Sequence, residues 1–123
     1  MVRSTDSTTG RRFDKAVFNR LTSAAKASNS TEQAWLYLEA AHVVGQSWFK
    51  PHLQAHARML RLAWRTGDWP EVAGQLLRLA LVPLGNLTGR LPLGNPGRST
   101  VSAFKPLPVR PELADLIARA SKS

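Results

Sequence analysis

Apolar residues recur at helical spacing along most of the chain. Phe13, Val17, Leu21 and Ala24 fall at i, i+4, i+8 and i+11, which predicts a first helix over Arg12–Ala27. Asn29-Ser30-Thr31 breaks it. Ser30 and Gln33 have the spacing of a capping box, so a second helix is predicted from Thr31 to Gln46. Trp48 and Phe49 read as a short loop. Pro51 suits the first turn of a third helix, Pro51–Arg65, because the N–H it lacks would have no partner there anyway. Gly67 can end that helix in the left-handed conformation. Asp68 caps a fourth helix, with Pro70 in its first turn, that is predicted to reach about Val82.

The last third changes character. Residues 83–97 are dense in Pro, Gly and Asn, which is turn chemistry. Val101 to Phe104 reads as a short extended stretch, and Pro106, Pro108 and Pro111 keep the backbone after it extended. A short helix over 111–120 ends the chain. The predicted fold is therefore all-α: a small bundle of about four helices, an extended Gly/Pro-rich strap over 83–110, and a short C-terminal helix. Residues 1–11 read as a mobile tail ahead of a single domain, 12–123. The central helices also resemble tetratricopeptide hairpins. The run from Leu62 to Val72 reads like the turn between two such units, and helices two and four start ~38 residues apart, against the ~34 of that repeat. That shape implies a groove for a protein partner.

Composition narrows the function. The chain has 123 residues, enough for one modest core, and 43% of them are hydrophobic. Alanine and leucine outnumber valine and isoleucine, which favours helix over sheet. The absence of cysteine removes disulfides, thiolate ligands and cysteine nucleophiles. The first 25 residues lack the apolar stretch of a signal peptide, and no apolar run approaches the ~18 residues that span a bilayer. A cytoplasmic location with no membrane partner is expected. The net charge is +9, yet the basic residues are spread from Arg3 to Lys122 and no zinc-finger or RNA-recognition motif is present. A solvated basic surface, not a nucleic-acid partner, is the expectation. Trp35, Trp48, Trp64 and Trp69 read as core.

The candidate chemistry lies in a short stretch. His42, His52 and His56 fall within fifteen residues, Glu39 precedes His42 by three, and His52 precedes His56 by four. Both spacings place the paired side chains on one helix face. Helices two and three share a short loop, so they pack as an antiparallel hairpin with His42 opposite residues 55–56. One face then offers three imidazoles and a carboxylate, with Gln46 behind them. Nitrogen and oxygen donors of this kind suit zinc, cobalt, nickel, copper(II) or iron(II). His52 and His56 share their side of helix three with Met59 and Ala63, while Arg58, Arg61 and Arg65 lie opposite. Helix two is ambiguous, because Glu32, Glu39, His42 and Gln46 form a polar stripe that also fits a solvent-facing edge. The histidines could equally be structural, hydrogen-bonded to backbone or to Glu39. Glu71 and Gln75 read as a helix-dipole carboxylate and a polar face, at the end of helix three away from the histidines. Gly85–Asn86 should lie beside the His52 end. No activated serine and no second Glu-x-x-His motif is present, which disfavours an enzyme. A mononuclear two-histidine, one-carboxylate iron centre is the catalytic alternative.

Several runs resemble one small bacterial family. They are Leu38 to Gln46, His52 to Leu60, Glu71 to Leu79, Gly89 to Asn95 and Val101 to Phe104. The family is catalogued as domain of unknown function 3703, and the resemblance covers about residues 15–117. It implies that the histidine, glutamate and glutamine positions belong to a family pattern. It also implies a setting of heavy-metal efflux and its regulation, consistent with a protein that sequesters, delivers or senses a divalent ion. Where the family pattern has Thr after Gly-Asn, this chain has Pro96. A homodimer is also compatible, because an apolar helix such as helix two can be buried in a subunit contact.

Overall fold

The computed structural model describes residues 12–89, 94–99 and 105–122. Among these the regular elements are five helices: α1 (Lys15–Ala27), α2 (Thr31–Gly45), α3 (Phe49–Arg65), α4 (Trp69–Thr88) and α5 (Pro111–Lys122). No strand occurs among the described residues. The chain is all-α, as the hydrophobic spacing predicts. The 1–11 tail and the extended stretch at Val101 to Phe104 lie outside the described residues.

Capping chemistry sets most boundaries. Asp14 accepts from the Val17 N–H at 3.1 Å and starts α1 three residues later than the apolar spacing suggests. Ser30 accepts from the Gln33 N–H at 3.1 Å and starts α2. Phe49 opens α3 instead of lying in a loop, with Trp48 as its N-cap. Asp68 accepts from the Glu71 N–H at 3.3 Å and starts α4.

The main difference lies at the far end of α4. The helix does not stop near Val82 but runs through Pro83 to Thr88. Proline lacks an N–H and crowds the carbonyl four residues back, so it normally ends a helix. Here the stop comes at Gly89, whose φ of +74° supplies the left-handed cap and whose N–H bonds the Gly85 carbonyl. The six residues 83–88 predicted as strap are therefore helix, and they carry Asn86 into the interior.

The helices pack in sequence, α1 on α2, α2 on α3 and α3 on α4, and α5 returns to close against α1 and α2. One apolar cluster joins Val17, Phe18 and Leu21 of α1 to Ala40 and Ala41 of α2, Ala55 of α3 and Leu113 of α5. A second joins Trp35 and Leu38 to Met59, Leu62 and Val72. Two tryptophans leave the core. Trp64 and Trp69 are 63% and 55% exposed and meet edge to face at 5.3 Å across the α3–α4 turn. No helix among the described residues is long and apolar enough to cross a membrane.

Candidate metal centre

The three imidazoles meet in the interior between α2, α3 and α4. His42, His52 and His56 are 2%, 5% and 3% exposed. Each offers a ring nitrogen, and these atoms all lie within 4.8 Å of one another. The His42 and His56 Nε2 atoms are 3.1 Å apart. This is the hairpin register that the short α2–α3 connection predicts. The polar stripe of α2 is not a solvent edge: Glu39 and Gln46 are also buried, at 3% and 1% exposure, and Glu32 alone of the four faces solvent.

Two side-chain amides dictate which ring nitrogens carry protons. The Gln75 Nε2 donates to Glu71 Oε2 at 2.7 Å and to the Gly97 carbonyl at 2.9 Å. Both partners are acceptors, so the amide orientation is settled and Oε1 must face His56. That oxygen lies 2.7 Å from His56 Nδ1, which therefore carries the proton. The His56 Nε2 is left with a bare lone pair. Asn86 repeats the device. Its Nδ2 donates to the Gln46 carbonyl at 3.2 Å, so Oδ1, 2.8 Å from His52 Nδ1, accepts a proton there and leaves His52 Nε2 bare. Gln46 Oε1 in turn accepts from the Gly94 N–H at 3.2 Å. Gln46 thus acts on His52 through Asn86.

His42 is held differently. Its Nε2 faces the bare His56 nitrogen, so Nε2 bears the proton of that contact, and the Asn95 backbone is hydrogen-bonded to the ring as well. Burial lowers the proton affinity of all three rings. It takes His42 well below the ordinary histidine range, helped by repulsion from His56 and His52. It takes His56 to about 4, although the Gln75 bond opposes the shift. His52 is lowered in the same way, against the opposing bond to Asn86. All three are neutral at pH 7, the form that binds a metal.

Glu39 does not join this group. Its carboxylate pairs with Arg98 at 3.2 Å and Arg110 at 3.1 Å. Arg98 also pairs with Glu71 at 3.1 Å, and its guanidinium lies 3.8 Å from the centre of the Trp35 ring. Glu71 takes the Ser99 N–H at 2.9 Å and the Ser99 hydroxyl at 2.8 Å. These bonds clamp residues 97–99 over the centre. Glu71 and Gln75 are thus not a polar face away from the histidines: both are buried, and Gln75 touches His56 directly. The length of the glutamine side chain spans the turn that separates it from His56. Asn86 lies beside His52, as the hairpin register predicts.

Gly97 is the closest cover. Its φ is +89°, and a Cβ there would meet His42 ring atoms at 2.7–2.9 Å. Gly97→Ala is expected to cost about 2 kcal/mol, because the left-handed backbone strain of ~1–2 kcal/mol adds to displacement of the ring. Thermal melting checks this. A melting point equal to wild type would show that the segment shifts freely.

The family model described as protein of unknown function DUF3703 matches residues 11–117. The chain belongs to the DUF3703 family. No curated protein and no solved structure matches it. Sequence reasoning alone found the three histidines of this DUF3703 protein, but it missed Gln75 and Asn86 as their orienting partners and Arg98 as the clamp. The signals for them were slight: Gln75 lies in a quoted family run, and the hairpin register places Asn86 beside His52 without giving it a role.

Proposed function

We propose that this protein binds one divalent metal ion through the Nε2 atoms of His42, His52 and His56. The observation that carries the reading is the pair of anchored amides. Gln75 and Asn86 hold protons on Nδ1 of two buried rings and so leave Nε2 unprotonated on each, in a cluster where one ring nitrogen of every histidine lies within 4.8 Å of the others. Metal-ligating histidines are oriented in this way by an acceptor on the other nitrogen. The His42–His56 spacing agrees, because Zn–N bonds of ~2.0–2.1 Å at tetrahedral angles place ligand nitrogens about 3.3 Å apart, close to the 3.1 Å of that pair, and the full set of three lies within 4.8 Å. With Nε2 given to a metal, His42 would carry its single proton on Nδ1 instead. The backbone of Asn95 already favours proton uptake by that ring.

The donor set supports zinc, copper(II), nickel, cobalt or iron(II) over softer ions. Glu39 is tied to two arginines and is not part of the ligand set we favour. Burial and the clamped 97–99 segment suit holding an ion in sequestration, delivery or sensing better than turnover of a substrate. The test is elemental analysis of protein purified without an affinity tag or chelator, beside a triple alanine variant of His42, His52 and His56. About one metal per chain, lost in the variant, is expected. No metal in either protein, and none gained on adding the five candidate ions, would leave the imidazoles as a structural hydrogen-bond network.

A further inference from the structure

Helix α4 is built inside out. Its polar side chains Glu71, Gln75 and Arg78 are buried, at 2%, 0% and 8% exposure, and Asn86 points the same way onto His52. The outward stripe is Trp69, Ala73, Leu76, Ala80, Leu84 and Leu87, and all six are exposed. Trp69, Leu76, Leu84 and Leu87 stand at 55%, 54%, 60% and 85%. Their spacing of i, i+4, i+7, i+11, i+15 and i+18 makes one continuous face. Glu71 and Arg78 are the only charged residues in the twenty of α4, so this face carries none. An ordinary surface helix has the reverse arrangement, and a contiguous apolar face of this extent marks a contact surface.

We propose that a second copy of the chain covers it, α4 against α4 across a two-fold axis. Charge selects that occupant. Each chain carries +9, and α3 presents Arg58, Arg61 and Arg65 to solvent. Approach through such faces sets like charges together, whereas the uncharged α4 face lets two copies meet without that repulsion. Shape agrees, because a two-fold contact must be self-complementary. The exposed leucines provide projections, and Ala73 and Ala80 provide the recesses between them. Extent agrees too: Trp69, Leu76, Leu77, Leu84 and Leu87 are each more than half exposed along one helix, and a standard interface draws on a patch of about 800 Å² per partner. A lipid surface fits less well, since interfacial helices pair their apolar face with a polar face rich in Lys or Arg, and the one basic residue of α4, Arg78, is buried.

Sedimentation velocity on the full chain from about 1 to 100 μM tests this. The expected species has twice the 13.5 kDa chain mass. Leu84→Glu and Leu87→Glu should each weaken it at least 100-fold while circular dichroism stays helical. Both side chains are mostly exposed, so neither change disturbs packing within the chain. A wild-type monomer throughout the range would overturn the proposal. So would a dimer that survives both substitutions. A wild-type monomer that co-sediments with phosphatidylglycerol vesicles would assign the face to lipid and overturn it as well.

Discussion

His56→Ala is expected to weaken divalent-metal binding about 100-fold or more while the five helices stay folded. A structural zinc site supplies ~10–16 kcal/mol over four ligands, so one ligand carries about 3 kcal/mol, slightly more than two decades of affinity. His56 is the ring that touches both its neighbours' chemistry, with Nε2 against His42 and Nδ1 on Gln75. Gln75→Leu should cost less, about 10- to 100-fold, because the nitrogen ligand remains and only the direction of its proton is lost. Competition against a chromophoric chelator measures both affinities, and circular dichroism confirms that the variants fold. The order of the two losses is the decisive result. Equal, wild-type affinity in both variants would remove His56 from the ligand set. A larger loss for Gln75→Leu would place the metal elsewhere.

The second large effect is on stability against acid. The three rings bind protons more weakly folded than unfolded, chiefly because burial penalises the imidazolium. Between the folded and unfolded values the unfolded chain holds more protons, so stability rises with pH there. The contribution is complete above about pH 6.5, the unfolded value. It is lost as pH falls toward 4. His56 alone, lowered from 6.5 to about 4, accounts for about 3 kcal/mol. Glu71 acts in the same direction: burial raises its proton affinity, but bonds from Gln75 and Ser99 and the Arg98 charge outweigh that and lower it overall. Glu39 opposes them, since burial lifts its proton affinity despite Arg110 and Arg98, and its protonation returns some stability in acid. Denaturant melts of chelator-treated protein should show a midpoint that drops between pH 7 and pH 4.5. A flat midpoint over that interval would contradict the burial of neutral imidazoles.

Some of this was legible in the chain. His42 and His56 pair because two amphipathic helices joined by a short loop have little freedom of register, and both spacings are local. The inward side of α3 was equally plain, with Met59 and Ala63 on the histidine side and three arginines opposite. The stripe of α2 was not plain, because a polar residue every turn reads the same whether water or a buried partner faces it. What covers Glu39, His42 and Gln46 is largely the 94–99 segment, through Arg98, Gly97 and Gly94, with Asn86 of α4 reaching the Gln46 carbonyl, and no local pattern encodes where those parts pack. Pro83 concealed the last turns of α4 for a similar reason. Its local chemistry argues for a stop, while the packed helix continues to Gly89 and brings Asn86 onto His52. The exposed Trp64–Trp69 pair shows the opposite failure, since large aromatic residues suggest a core that the turn between α3 and α4 does not provide.

The parts of the centre differ in how much of the fold each one needs. His42 and His56 are 14 residues apart, whereas Gln75 reaches His56 across 19 and Asn86 reaches His52 across 34. Closing the longest of these loops costs only about 0.8 kcal/mol more than closing the shortest. Yet the Asn86 contact also needs α4 to be helical through Pro83, a requirement the α2–α3 hairpin does not share. The α2–α3 hairpin alone therefore suffices to gather the imidazoles, whereas their tautomers are set only where α4 is packed and helical as far as Asn86.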